Sequence, residues 1–180
     1  LKQHLTQQKG AYLQDNYEAS IVANASIEWD NYLENCSFTL DATDPCYEDW
    51  LSGVGPYGEA AAPISIVYRS SLSDTENPDL WLLGFPGAAA DGFYPGFSRP
   101  KPAPAAISWD IVQMPGPGDT ATGNVRLRSL DPRDTPIIDF DFFTGDAGQR
   151  DLEAMVESAN LVLRIFDRTS EPVAPFTLFD

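Results

Sequence analysis

Gly123-Asn-Val-Arg-Leu-Arg-Ser-Leu-Asp-Pro132, then Pro136-Ile-Ile-Asp-Phe-Asp-Phe-Phe143, then residues 151–167 form the stretch that decides the expected fold. Between Asn124 and Ser129, Val125 and Leu127 alternate with Arg126 and Arg128, which predicts a strand with one face buried and the other wet. The two arginines read as its solvated face rather than as an anion clamp. Ile137 to Phe140 reads as a second strand. From Asp151 to Asp167, Leu152, Met155, Val156, Ala159, Val162, Leu163 and Phe166 recur at helical spacing, with Asp146 as a candidate N-cap. An amphipathic helix packed on a sheet is expected there.

Further strands are expected at Glu18 to Glu28, Ile64 to Ser70, Leu80 to Phe85 and Ile107 to Met114, separated by segments rich in Pro, Gly, Asp and Ser. A short helix is expected over Tyr47 to Ser52, after the helix-starting pair Asp44-Pro45. The fold class is therefore α+β, a largely antiparallel sheet of about six strands with helices packed on one face. Residues 86–104 hold too many Gly and Pro for regular structure yet carry Phe93, Tyr94 and Phe97, as a loop lining a binding site does. The polar residues 1–10 read as a helix stub or a segment spliced from elsewhere in a longer chain, and residues 11–180 as one domain.

The chain has 180 residues, with 11 basic against 27 acidic and a formal charge of -16. Such a surface repels phosphate backbones, so nucleic acid and anionic membranes are not expected partners. No stretch approaches the ~20 apolar residues of a membrane span, and no metal site is expected. Cys36 and Cys46 lie close together around the turn formers Thr43-Asp44-Pro45, which suits a local disulfide. Two N-glycosylation tripeptides, at Asn24 and Asn35, lie beside them, and together these features favour an oxidising, secretory route.

The succession from Gly123 to Leu152 resembles the glucose-methanol-choline (GMC) oxidoreductases, in which a glycine-led strand G-x-V-x-L-x-S-x-D-P precedes P-x-I, an aromatic and a helix opening on Asp-Leu, here Asp151-Leu152. Leu13-Gln14-Asp15-Asn16 is similar to the family's N-L-Q-D-H segment, with Asn16 where many members carry His. Gly53-Val-Gly-Pro-Tyr57 is similar to its G-x-G-P turn. The family's G-x-G-x-x-G pyrophosphate cradle does not occur in these residues, nor does its catalytic histidine motif, which the family places downstream of this helix. The single histidine, His4, matches neither catalytic position.

The resemblance implies the substrate-binding domain of a secreted FAD-dependent enzyme that oxidises an alcohol, sugar or aldehyde hydrate, inactive by itself, with FAD held mainly by a nucleotide-binding domain of the same polypeptide. It implies substrate contacts at Phe85, Phe93, Tyr94, Phe97 and Trp109, and flavin contacts at Leu13, Gln14, Asp15, Asn16 and Tyr17. Two alternatives stand beside it: a GMC-like lyase or cyclase whose flavin does no net redox chemistry, and a stand-alone secreted carbohydrate-binding module.

Overall fold

The computed structural model describes residues 10–29, 35–37, 39, 41–58, 62–88, 102–114 and 123–179. Their elements are β1 (Ala11–Leu13), β2 (Tyr17–Asn24), α1 (Tyr47–Leu51), a 3-10 turn (Pro56–Gly58), β3 (Ile64–Tyr68), β4 (Leu80–Ala88), β5 (Pro102–Gln113), β6 (Gly123–Arg126), β7 (Ile137–Asp139), α2 (Gly145–Arg168) and β8 (Thr177–Leu178). The class is α+β and every strand pairing is antiparallel, but the strands divide into two sheets rather than one. A five-stranded sheet runs β3-β4-β5-β2-β8, and a three-stranded sheet runs β1-β6-β7.

The large sheet is built on β5, which pairs with β4 on one side and β2 on the other. Successive side chains of a strand point to opposite faces, so the register sorts residues by parity. Leu82 lies opposite Ile111, and Leu80 opposite Gln113, while Ile111 lies opposite Ala19 and Ile107 opposite Ala23. This face meets α2, and Leu80, Leu82 and Ile111 close against Val162, Met155 and Phe166 in the buried core.

Sequence-expected bounds shift where backbone bonding overrides local composition. β4 and β5 run into the proline-rich ends that composition assigns to loop, because Gly87, at a φ of 77°, takes up the irregularity between Pro86 and Ala88 and lets Ala88 reach Pro102. β2 stops at Asn24 instead of continuing to Glu28: the Ala25 N–H still donates to the Ala105 carbonyl, but that of Ser26 turns to the Val173 carbonyl. β6 ends at Arg126, so Leu127 is 65% exposed and the alternation expected through Ser129 buries no second residue. From Ser129 the chain ties itself into a turn: the Asp131 N–H donates to Ser129 Oγ, and the Arg133 N–H to Asp131 Oδ1.

The main helix starts six residues before Asp151, with Thr144 rather than Asp146 at the N-cap and Asp146 in the first turn. Gly148 makes that early start possible: a Cβ there would stand 2.4 Å from the Phe143 carbonyl carbon. Leu152 and Val156, expected in the core, lie on the outer side, with Val156 53% exposed. The buried stripe instead runs through Gly148, Ala154, Met155, Ser158, Val162 and Phe166. The helix is fastened to the β3–β4 connection by Glu157, whose carboxylate accepts the Tyr68 hydroxyl at 2.8 Å and both the N–H and the hydroxyl of Ser71. Burial pushes the Glu157 carboxyl up, but these bonds outweigh it and hold the group below its ordinary value.

Truncating the fully buried Leu82 to alanine is expected to cost about 2–5 kcal/mol in urea unfolding of the chain. Val156→Ala on the outer face should change stability by less than about 0.5 kcal/mol. Equal effects at the two positions would refute this assignment of the buried stripe.

Candidate wall of a binding site

α2 covers only one face of the large sheet. On the other face, where no described helix packs, the register brings three cross-strand rows together: Phe85 with Ser108 and Val22, Leu83 with Asp110 and Ser20, and Trp81 with Val112 and Glu18. β3 extends the last two rows with Ser65 and Val67. The result is a mixed surface, apolar at Phe85, Leu83 and Val112 and polar at Ser20 and Asp110, with Ser108 buried at its edge. Binding sites commonly have this composition, with apolar area supplying burial and a few polar groups fixing orientation. Trp81, 39% exposed, is held by its indole Nε1–H, which donates to Ser65 Oγ at 2.6 Å.

Asp110 sits at the centre of this face, accepting the Ser20 hydroxyl. Burial raises its carboxyl above the ordinary value, and the Ser20 bond only partly offsets that. Glu18, two residues from Ser20 on the same face, is also raised, first by burial and then by the charges of Asp110 and Asp15. The middle of the face therefore disfavours further negative charge.

Parity separates two of the expected substrate contacts. Phe85 lies on the helix-free face, half-buried. Trp109 lies opposite Gly84 and Ile21 on the helix side, 3% exposed within the core, where a Cβ on Gly84 would stand 3.4 Å from its ring. Phe93, Tyr94 and Phe97 fall outside the described residues. Ser20, Leu83, Ser108, Asp110 and Val112 join the face without having been singled out from sequence, because their common feature is cross-strand register. Strict alternation away from Leu80, Leu82 and Ile111 was the one signal that could have found them.

Leu13 pairs with Gly123 in the small sheet, and Gln14, Asp15 and Asn16 carry the chain, exposed, from that sheet to the large one. Tyr17 is buried, its ring 4.7 Å from that of Phe142 and 4.4 Å from that of Phe143. Burial first, then the Asp151 charge, raises its phenol above the ordinary value. Asp151 also accepts Gln113 Nε2 at 2.9 Å, so the start of β2, the end of β5 and the second turn of α2 meet at one carboxylate.

A dinucleotide pyrophosphate requires a helix N-terminus with free N–H groups and room for close approach. At the start of α2, Asp146 places a carboxylate in the first turn, and the Phe143 backbone fills the space beside Gly148. The N-terminus of α2 therefore does not fit the pyrophosphate of FAD.

Residues 119–178 match the family model described as GMC oxidoreductase, one third of the chain. No curated protein sequence matches the chain.

Because the folded protein favours protonated Asp110, the stability linked to this group is greatest below the unfolded value of about 3.9 and declines as pH rises through the raised folded value. Asp110→Asn should remove that decline, giving a higher melting temperature than the parent at pH 7 and an equal one below about pH 4. A difference that stays constant with pH would show that the charge is not responsible.

Proposed function

We propose, from the match of residues 119–178 to GMC oxidoreductases, that this chain is the substrate-binding domain of a secreted, FAD-dependent enzyme oxidising an alcohol, sugar or aldehyde hydrate. The observation that carries this reading is the five-stranded sheet whose one face is closed by α2 while the other, over which no described helix packs, presents Phe85, Trp81, Leu83 and Asp110. A wall of this kind positions a substrate and excludes water, and positioning alone can contribute several kcal/mol to a reaction barrier. The redox chemistry belongs to the flavin, held by a nucleotide-binding domain of the same polypeptide, the chain's expected partner. The Cys36–Cys46 disulfide supports the secretory assignment, since such bonds persist in oxidising compartments.

In this reading Phe85 and Trp81 supply apolar contact, and Asp110 orients a hydroxyl. The acidic centre of the wall works against carboxylate or phosphate substrates, which favours neutral ones.

The test uses the intact flavoprotein and a panel of primary alcohols, sugars and aldehydes, read by anaerobic bleaching of the flavin and by steady-state kinetics. Phe85→Ala and Trp81→Ala should each lower kcat/KM on the best substrate about ten-fold, equivalent to roughly 1.4 kcal/mol, with flavin content unchanged. Unchanged kinetics in both variants across the panel would overturn the wall assignment. Turnover without bleaching would replace oxidation by a lyase or cyclase reaction, and glycan binding by the chain with no flavin domain in the polypeptide would replace it by a carbohydrate-binding module.

A further inference from the structure

Asn24-Ala25-Ser26 and Asn35-Cys36-Ser37 both expose their asparagines, but the folded protein holds the two tripeptides in different ways. The contacts around Asn35 are local. Cys36 is bonded to Cys46, ten residues away. The Ser37 N–H donates to Asp44 Oδ1 at 3.3 Å, and the Ser37 hydroxyl lies 3.0 Å from that of Thr39. The same buried Asp44 carboxylate accepts the Cys46 N–H at 3.0 Å and the Tyr57 hydroxyl at 2.7 Å.

Around Asn24 the contacts are distant in sequence. Asn24 pairs with Ala106 on one side and Thr177 on the other. The Ser26 N–H donates to the Val173 carbonyl at 2.9 Å, and its hydroxyl to the Pro175 carbonyl at 3.1 Å.

These separations order the two closures during synthesis. Short loops close with little entropic cost, and their ends meet in about 10–100 ns. The ring around Asn35 has all its parts once Tyr57 has been made. Asn24-Ala25-Ser26 stays unpinned until Ala106 emerges, roughly 50 residues later and on the order of several seconds at ordinary synthesis rates, and its second side closes only once Thr177 has been made.

We infer that Asn24 is the preferred N-glycan attachment site and that closure of the Cys36–Cys46 ring suppresses attachment at Asn35. In the transfer, Asn Nδ2 bonds to the anomeric carbon of an oligosaccharide carried on a lipid pyrophosphate. The bond from that carbon to the pyrophosphate oxygen breaks, an amide proton is lost, and the lipid pyrophosphate leaves. The asparagine must reach the transferring enzyme on an accessible stretch of chain, which a tripeptide whose cysteine closes the ring and whose serine is held to Asp44 does not provide. Ring closure oxidises two thiols, passing two electrons and two protons to the disulfide of a thiol-disulfide oxidoreductase. The Asn24 side chain points to the helix-free side of the sheet at the end of β2, exposed, so the fold accommodates the glycan. This inference shares only secretory entry with the proposed function and does not depend on the wall.

Translation of the full chain behind a cleavable signal peptide, with microsomes present, reads attachment on new chains before folding is complete, so a variant that fails to fold still reports. The expected result is one main glycan, lost in Asn24→Gln and retained in Asn35→Gln. Dithiothreitol or Cys46→Ser, which leaves both tripeptides intact, should raise occupancy at Asn35 at least threefold without changing Asn24. An empty Asn24, a filled Asn35 with the disulfide closed, or an Asn35 indifferent to both treatments would overturn the inference.

Discussion

The parity of β5 is the constraint on which the rest of the large sheet depends. Once Ile111 faces α2, its neighbours Leu82 and Ala19 must face it too, and Asp110, Leu83 and Ser20 must face the other way. A slip of one residue would turn the whole apolar set to solvent and bring a carboxylate under the helix. Packing on one side of the sheet thus determines what is presented on the other, although no side chain is shared between the two.

Two carboxylates on α2 hold it in the position that parity requires. Glu157 binds Tyr68 and Ser71 at one edge of the sheet, and Asp151 binds Gln113 near the start of the helix. Glu157 sits where burial alone would make a carboxylate costly, and hydrogen bonds to its oxygens offset that cost. The acidic residue of the Asp-Leu pair at 151–152 therefore has a structural explanation: it joins the helix to the ends of β2 and β5, while Leu152 remains on the outer side. Gly123 has one as well, since a Cβ there would stand 2.1 Å from the Asp139 carbonyl oxygen and force β6 away from β7.

The helix-free face combines two tendencies that a solvated sheet face does not need. It carries large apolar groups, Phe85, Leu83 and Trp81, and it half-buries a carboxylate, Asp110, among them. Negative charge is in excess over the whole molecule, and at Asp110 and Glu18 burial raises both carboxyls. That expense at the centre of the face is consistent with a surface that meets a neutral polar ligand.

Local chemistry made much of this molecule legible. The cysteine pair, the short helix at Tyr47, the positions of six of the eight described strands and the existence of the long helix follow from turn formers and periodicity alone, whereas β1 and β8 were not foreseen. The order Gly123 to Asp151 also identified the family that residues 119–178 match. What periodicity could not supply was pairing: Trp109 and Phe85 look alike in sequence, yet one lies under α2 and the other on the opposite face because of their places in the β4–β5 register. The same limit explains the prolines read as loop, the early start of the helix and the division of the strands into two sheets. Each depends on bonds between segments far apart in the chain, whose energy a local reading does not contain.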